Sequence, residues 1–341
     1  MSDLRATPLY DRALGCLLGG LIGDAMGTPS ENLHYGEIIA RFGWIDDLQG
    51  SGTDDTLMKD FLAQALIETE GAATLDDWAR VWMERWPTVT AEQRTRFFSS
   101  VVHTVAKLRS GNSLPRMVAL GNMPSSSTAM CISPVGIVHA CHPELAALHA
   151  GHLAALIHVH DVAFCQDGAR AMAAAVAAAF IPGATVESIL DAARRAILPT
   201  SGRELLDRVD AMQALALETG AFAGFRDAVY ELGDRFLMPI TCDTRETVPL
   251  TLALFRLAGG DLRRMVTYGA NLGRDADTIA SMGGAIAGAW QGARALPEAW
   301  VARATAGALQ DQYLMAEQLA RVALKQSAEA EASRRALESL L

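Results

Sequence analysis

At 341 residues, half of them hydrophobic and a fifth charged, the chain can bury a large core and has the composition of a globular protein. A formal charge of −10 argues against partners that need a basic surface, so neither nucleic acid nor anionic membrane is expected. Five cysteines, an odd number with no CxxC pair, suit reduced thiols in a cytoplasm better than a disulfide framework.

Asp3, Arg5, Asp11 and Arg12 precede any apolar run, against the pattern of a signal peptide, and a cytoplasmic protein is expected. The first apolar segment repeats glycine every fourth residue, at Gly19, Gly23 and Gly27. A loop over 28–52 then leads to Thr53-Asp54-Asp55-Thr56 and a helix over 57–70. Thr74 caps a helix over 75–86, in which Trp82 and Trp86 form a core stripe. A loop over 86–96 is followed by a helix over 97–110. The loop 111–134 contains the longest polar stretch between helices, 121–134.

Helices are expected next over 143–158, 167–180, 186–197 (capped by Thr185) and 203–220, with a loop over 233–247. Further helices follow over 248–258 and 261–272. The run 276–290, like 171–182, is too short or too glycine-rich to span a bilayer. Gly284, Gly288 and Gly292 repeat the spacing of the first glycine segment. Each such glycine costs roughly 1 kcal/mol of helix propensity, so close packing of two helices at a shared centre is the expected compensation. A helix over 308–328 and a charged, alanine-rich tail over 325–341 end the chain. Alternating β-branched runs are missing. The reading is all-α, one domain over 1–341, with a core of about 10–295 and peripheral C-terminal helices over about 296–341.

Two short acidic clusters stand out: Thr53-Asp54-Asp55-Thr56 and Asp275-Ala276-Asp277-Thr278. Each packs carboxylates and hydroxyls into four residues, and each follows a glycine, Gly52 or Gly273. Taken singly, either cluster reads equally well as capping of a helix N-terminus. Brought together, they would repel by a few kcal/mol and would need a cation between them. Hard oxygen ligands suit Mg²⁺, Mn²⁺ or Ca²⁺ better than zinc. Six of the eight histidines crowd 139–160; His149 and His152 could share a helical face, yet ordinary packing explains them better than zinc.

Residues 15–31 (GCLLGGLIGDAMGTPSE), 51–56 (SGTDDT) and 271–292 (NLGRDADTIASMGGAIAGAWQG) resemble the three signature blocks of the ADP-ribosylglycohydrolase family. That family includes dinitrogenase-reductase-activating glycohydrolase and the ADP-ribosylarginine and ADP-ribosylserine hydrolases. Weaker likenesses at 132–138 (ISPVGIV) and 246–255 (ETVPLTLALF) fall in the same order, and the resemblance spans about 10–295. It implies an orthogonal multi-helix bundle around a central binuclear Mg²⁺ or Mn²⁺ site. The implied ligands are Thr53, Asp54, Asp55, Asp275, Asp277 and Thr278. Glu31, seven residues after Asp24 in a GDxxGxxxE pattern, would do acid/base work together with Asp54 at the catalytic centre, and Asp24 would support from behind.

The implied reaction is hydrolysis of a ribosyl glycosidic bond, releasing ADP-ribose from a modified side chain. The chain departs from the family where a GNGxAMR-like loop is usual: here 125–131 reads SSSTAMC, leaving Ser127 and Thr128 as candidate substrate contacts. Gly273-Arg274 replaces a Gly-Gly pair, and His158 and Asp161 form a His-Asp stretch comparable to one near the pocket of relatives. These departures keep a second substrate class open, small N- or O-ribosides, and a third possibility is a binder of ADP-ribose without turnover.

Overall fold

The centre of the molecule is a pair of antiparallel helices, Pro8–Gly27 and Ala276–Gln291. The computed structural model describes residues 3–48 and 50–341. The first helix starts cleanly because Thr7 accepts a hydrogen bond from the Tyr10 amide and Pro8 occupies the first turn. Its glycines explain its place. Gly15, Gly19 and Gly23 face the backbone of Gly288, Gly284 and Ala280, and a Cβ on Gly19 or Gly284 would overlap the carbonyl of the other. The expected compensation for poor propensity is thus met by backbone contact and by full burial of Leu17, Leu18, Leu21 and Ile22.

This interlock carries a prediction. Gly284→Ala gains about 1 kcal/mol of helix propensity but must push two backbones apart. Overpacking of a filled core costs about 1–3 kcal/mol, with rigid carbonyls at the upper end, so net destabilisation is expected. A urea midpoint equal to or above that of the wild type would contradict the close-approach account.

The antiparallel arrangement has a second consequence. It sets Asp24, in the last turn of the first helix, beside Asp277 in the first turn of the second. Around this pair the other helices share one continuous hydrophobic core that runs from Tyr10 to Val322. Leu262–Leu272 packs through Gly269 onto Ala280. Leu75–Arg85 brings Trp82 edge-on to Phe61 at 5.1 Å and to Phe97 at 5.7 Å, so the tryptophan stripe is core. No strand occurs among the described residues, and none of their helices is long and apolar enough to cross a membrane.

Three expectations change. Helices Tyr35–Phe42 and Phe222–Leu232 stand where none was expected, and the polar stretch 121–134 contains short helices Ser127–Met130 and Ser133–Val138. The last helix, Gln312–Glu338, is peripheral only in its second half. Met315, Ala316, Leu319 and Ala320 are buried at helical spacing. Gln312 is buried too, accepting from Lys59 Nζ at 2.7 Å and donating to Asp60 at 3.2 Å. Lys59 and Asp60 pair at 3.2 Å, so this buried charge couple is tied off by the C-terminal helix rather than by solvent.

Candidate metal centre

Asp24 organises the site from behind. Its Oδ2 accepts from the Thr53 amide (2.7 Å), the Thr56 amide (3.1 Å) and the Thr56 hydroxyl (2.6 Å), while Oδ1 accepts from the Thr53 hydroxyl (2.9 Å). A carboxylate of the first helix therefore satisfies the amides that open helix Asp54–Glu68. Thr53, the residue at the cap position, makes no capping bond with its own side chain. Asp275, at the cap position of Ala276–Gln291, makes none either. Neither cap residue uses its side chain to cap its helix, so side-chain capping does not account for Thr53 or Asp275.

What remains is a set of carboxylates aimed at one another. Ligand oxygens of Asp24, Asp55 and Asp277 lie within 4.8 Å of each other, as do those of Glu31, Asp275 and Asp277. Asp277 belongs to both groups. The Thr278 hydroxyl donates to Asp55 Oδ2 at 3.2 Å, linking clusters 223 positions apart in sequence. Ser126 donates to Asp275 Oδ2 at 3.2 Å. The other oxygen of Asp55, Oδ1, is buried and has no hydrogen-bond partner among the described residues. An orphaned carboxylate oxygen in a protein interior is costly, and its neighbours are anionic.

The electrostatics of the carboxylates favour a positive charge at this site. Burial, then the nearby Asp24, pushes Asp54 and Asp55 well above the usual carboxylate range. Burial and Asp275 do the same to Asp277, while burial and Glu31 raise Asp275 to about 7. Divalent cations fit this donor set, which is made of carboxylate and hydroxyl oxygens. Thr53 and Thr278 donate their protons to carboxylates, so each keeps lone pairs for a cation. Asp24, already accepting four bonds, is nearly saturated and acts mainly as a holder.

Glu31 reaches the site through an unusual backbone crossing. The Asn32 amide donates to Arg274 O (2.6 Å) and the Arg274 amide to Leu33 O (3.1 Å), with both residues left-handed at φ 61° and 62°. Gly273, at φ +85°, permits this approach, since a Cβ there would strike Leu33 O. Glu31 Oε1 accepts from Asn32 Nδ2 at 3.0 Å, and Oε2 faces Arg96 at 3.5 Å. Burial raises its pKa, with Arg96 opposing.

The cleft over the carboxylates has a volume of about 190 Å³ and is lined by Glu31, Asp54, Asp55, Asp275, Asp277 and Thr278. Asn32, Arg96, Phe98, Ser126, Ser127, Met130 and the segment Ile240, Thr241 and Cys242 complete its walls. A larger cleft of about 430 Å³ lies between Pro143 and Leu198 but has no converging carboxylates. Of the expected substrate contacts, Ser127 lines the site; Thr128, His158, Asp161, Gly273 and Arg274 do not. Arg274 instead forms a two-pronged ion pair with the fully buried Glu246, at 2.7 Å on each side. Both residues also bond the backbone of Met238, so they hold the chain that leads into the 240–242 wall. Asp161 is exposed. His149 is fully engaged, between His139 at 2.9 Å and Ala73 O at 2.8 Å, and His152 is exposed, so the two do not form a zinc pair.

His158 is a pillar under the serine loop. It is fully buried, bonded to Ser125 Oγ and Thr128 Oγ1 at 3.0 Å each, and burial pushes its pKa from 6.5 to about 3. The sign is clear. Below pH 6.5 the unfolded chain takes up a proton that the folded protein refuses, so stability falls as pH falls. Each pH unit costs about 1.4 kcal/mol. Between pH 6.5 and 5 the wild type should therefore lose about 2 kcal/mol more than His158→Gln. Equal losses in urea titrations would refute this burial.

Sequence reasoning missed Arg96, Ser126 and the 240–242 wall. Ser126 was within reach as part of the serine loop, whereas the wall had no signal of its own.

A family model described as ADP-ribosylglycohydrolase matches residues 5–331. Two curated relatives are similar over most of their length. "Uncharacterized protein YegU" of Escherichia coli (strain K12) is 29% identical over 316 residues, covering 85% of this chain and 90% of the relative. An "Uncharacterized protein" of Archaeoglobus fulgidus is 28% identical over 308 residues, covering 86% and 91%. A solved structure described as "ADP-ribosylglycohydrolase-related protein complex" superposes with a TM-score of 0.67 at 22% identity, over 92% of this chain and 99% of that one, a likeness of fold.

Proposed function

The chain belongs to the ADP-ribosylglycohydrolase family, and from that premise we propose that it hydrolyses a ribosyl glycosidic bond with two divalent cations, Mg²⁺ or Mn²⁺, releasing ADP-ribose from an ADP-ribosylated side chain. The observation that carries the proposal is the buried, unpartnered Oδ1 of Asp55 among carboxylates that repel one another. In this reading Asp54, Asp55, Asp275 and Asp277 hold the cations, helped by the hydroxyls of Thr53 and Thr278. Such cations, when bound, orient sugar hydroxyls and offset negative charge in the site.

The chain's own residues do the rest. Cleavage at C1′ passes through an oxocarbenium-like state, so water must add on one face while the leaving group departs from the other. Water's oxygen becomes bonded to C1′, the bond to the leaving atom breaks, and that atom ends with a proton. Glu31, steadied by Asn32 at the cleft wall, is placed to hold or move a proton in one of these events. Ser127 offers a hydroxyl to sugar or phosphate oxygens.

A second reading, hydrolysis of small N- or O-ribosides, is favoured by the cleft's size. Its 190 Å³ falls below the roughly 300–1,000 Å³ usual for pockets that enclose a ligand. A panel of ADP-ribosyl-arginine, ADP-ribosyl-serine and simple N-ribosides, assayed with Mg²⁺ or Mn²⁺ and with EDTA, separates the two. Metal-dependent release of ADP-ribose supports the first, and free ribose from small ribosides alone supports the second. No turnover of any member, despite binding of ADP-ribose, would sink both and leave a binder.

A further inference from the structure

We propose that Arg96 is the specificity residue of this cleft, receiving a phosphate or diphosphate group carried on the ribose; this deepens the ribosyl reading above and rests on it. Among the described residues, Arg96 is the only lysine, arginine or histidine that lines the cleft. The serine loop supplies hydroxyls but no charge, so an anionic substituent entering beside five carboxylates has a single protein cation to meet.

The guanidinium is also under-used. It has five N–H donors, yet its one polar side-chain contact among the described residues is to Glu31 Oε2 at 3.5 Å, and 45% of the side chain is exposed. Nearby arginines are tied down. Arg94 lies over the Trp86 ring at 5.0 Å and donates to Trp86 O at 2.9 Å, and Arg274 grips Glu246 through both prongs. An exposed pair as loose as Arg96–Glu31 adds little to stability, so neutralising Glu31 is a weak reason for this residue. The planar fork of a guanidinium, by contrast, matches two oxygens of a phosphate.

Position agrees with this role. Glu31 stands between Arg96 and the Asp275–Asp277 pair. A ribose seated at the carboxylates therefore has the guanidinium one side chain away, at the wall of the same cleft. Neutral ribosides would gain nothing from it.

The test is binding, because binding does not require turnover. The full-length, Mg²⁺-loaded protein is titrated by calorimetry with ribose 5-phosphate and, in competition, with ribose. The wild type should prefer the phosphorylated sugar, and Arg96→Gln should reduce that preference about 30-fold, the loss of one or two charge-assisted hydrogen bonds. Arg96→Lys, which keeps charge without the fork, should fall between them. An equal affinity of the wild type for both sugars overturns the inference. So does an equal weakening of both in Arg96→Gln, which would mark a structural role. If the preference and its loss are seen but no riboside is ever cleaved, the hydrolytic reading fails while the assignment of Arg96 stands.

Discussion

Asp277→Asn should lower metal-dependent ribosyl hydrolysis about 10³-fold, in line with the loss of one preorganised charge at a reaction centre, and should leave helix content unchanged. The magnitude follows from its position. Asp277 is the one residue present in both carboxylate groups, so a single substitution weakens both sides of the proposed centre. Asparagine keeps the volume and one acceptor, and the Thr278 amide that bonds Asp277 Oδ1 at 2.9 Å can stay satisfied. Asp54→Asn should also disable the enzyme, because Asp54 lines the cleft and its pKa is pushed up by burial and by Asp24, Glu31 and Asp275 around it. Turnover of Asp277→Asn within tenfold of the wild type, at saturating Mg²⁺ or Mn²⁺, would remove the two-cation account.

Why the acidic clusters were legible and other residues were not comes down to backbone against side chain. The glycine spacing in Pro8–Gly27 and Ala276–Gln291 encodes a close approach of two backbones, and the contact of Gly19 with Gly284 is its realisation. Once those helices are antiparallel, Asp24 and Asp277 must meet. Capping at Thr74 and Thr185 was equally local, and both hydroxyls accept from the amide three residues on. Tyr35–Phe42 escaped because its cap is a histidine ring, His34 Nδ1 accepting from Gly36 at 2.9 Å, which no sequence rule anticipates.

Side-chain direction was harder. His158 and Arg274 lie in segments next to the cleft, yet one points into the core and the other into an ion pair. What decides this is a distant partner, Ser125 for His158 and Glu246 for Arg274. Glu246 sits 28 positions before Arg274, at the end of a stretch read as a loop and the start of a weak family likeness, neither of which marks it as a partner for Arg274. Proximity in sequence placed the residue near the site, while burial of an unpaired charge would have been too costly to leave Arg274 free.

The carboxylate site of the metal-free protein should contribute most stability under mildly acidic conditions and should lose it as pH rises, the reverse of the usual response to paired carboxylates. Asp275 is the clearest case, with an ordinary value of 3.8 that burial and Glu31 raise to about 7. A folded-state pKa above the unfolded one means the folded protein holds the proton more tightly. That contribution is complete below pH 3.8 and is lost as pH rises toward about 7, some 4 kcal/mol over the whole interval. His158 pulls the other way below pH 6.5 and offsets the slope of Asp275 between about pH 4 and 6.5. Variants separate them. At pH 7.5 in EDTA, Asp275→Asn should unfold at a higher urea concentration than the wild type, because a neutral amide replaces a carboxylate forced to ionise among others. Adding Mg²⁺ or Mn²⁺ should reverse that order, since a ligand that binds only the folded state stabilises the wild type by mass action and the variant has lost part of its site. An Asp275→Asn protein weaker than the wild type in EDTA would mean that the carboxylates are stabilised from within the chain. The case for a bound cation would then lose its electrostatic basis.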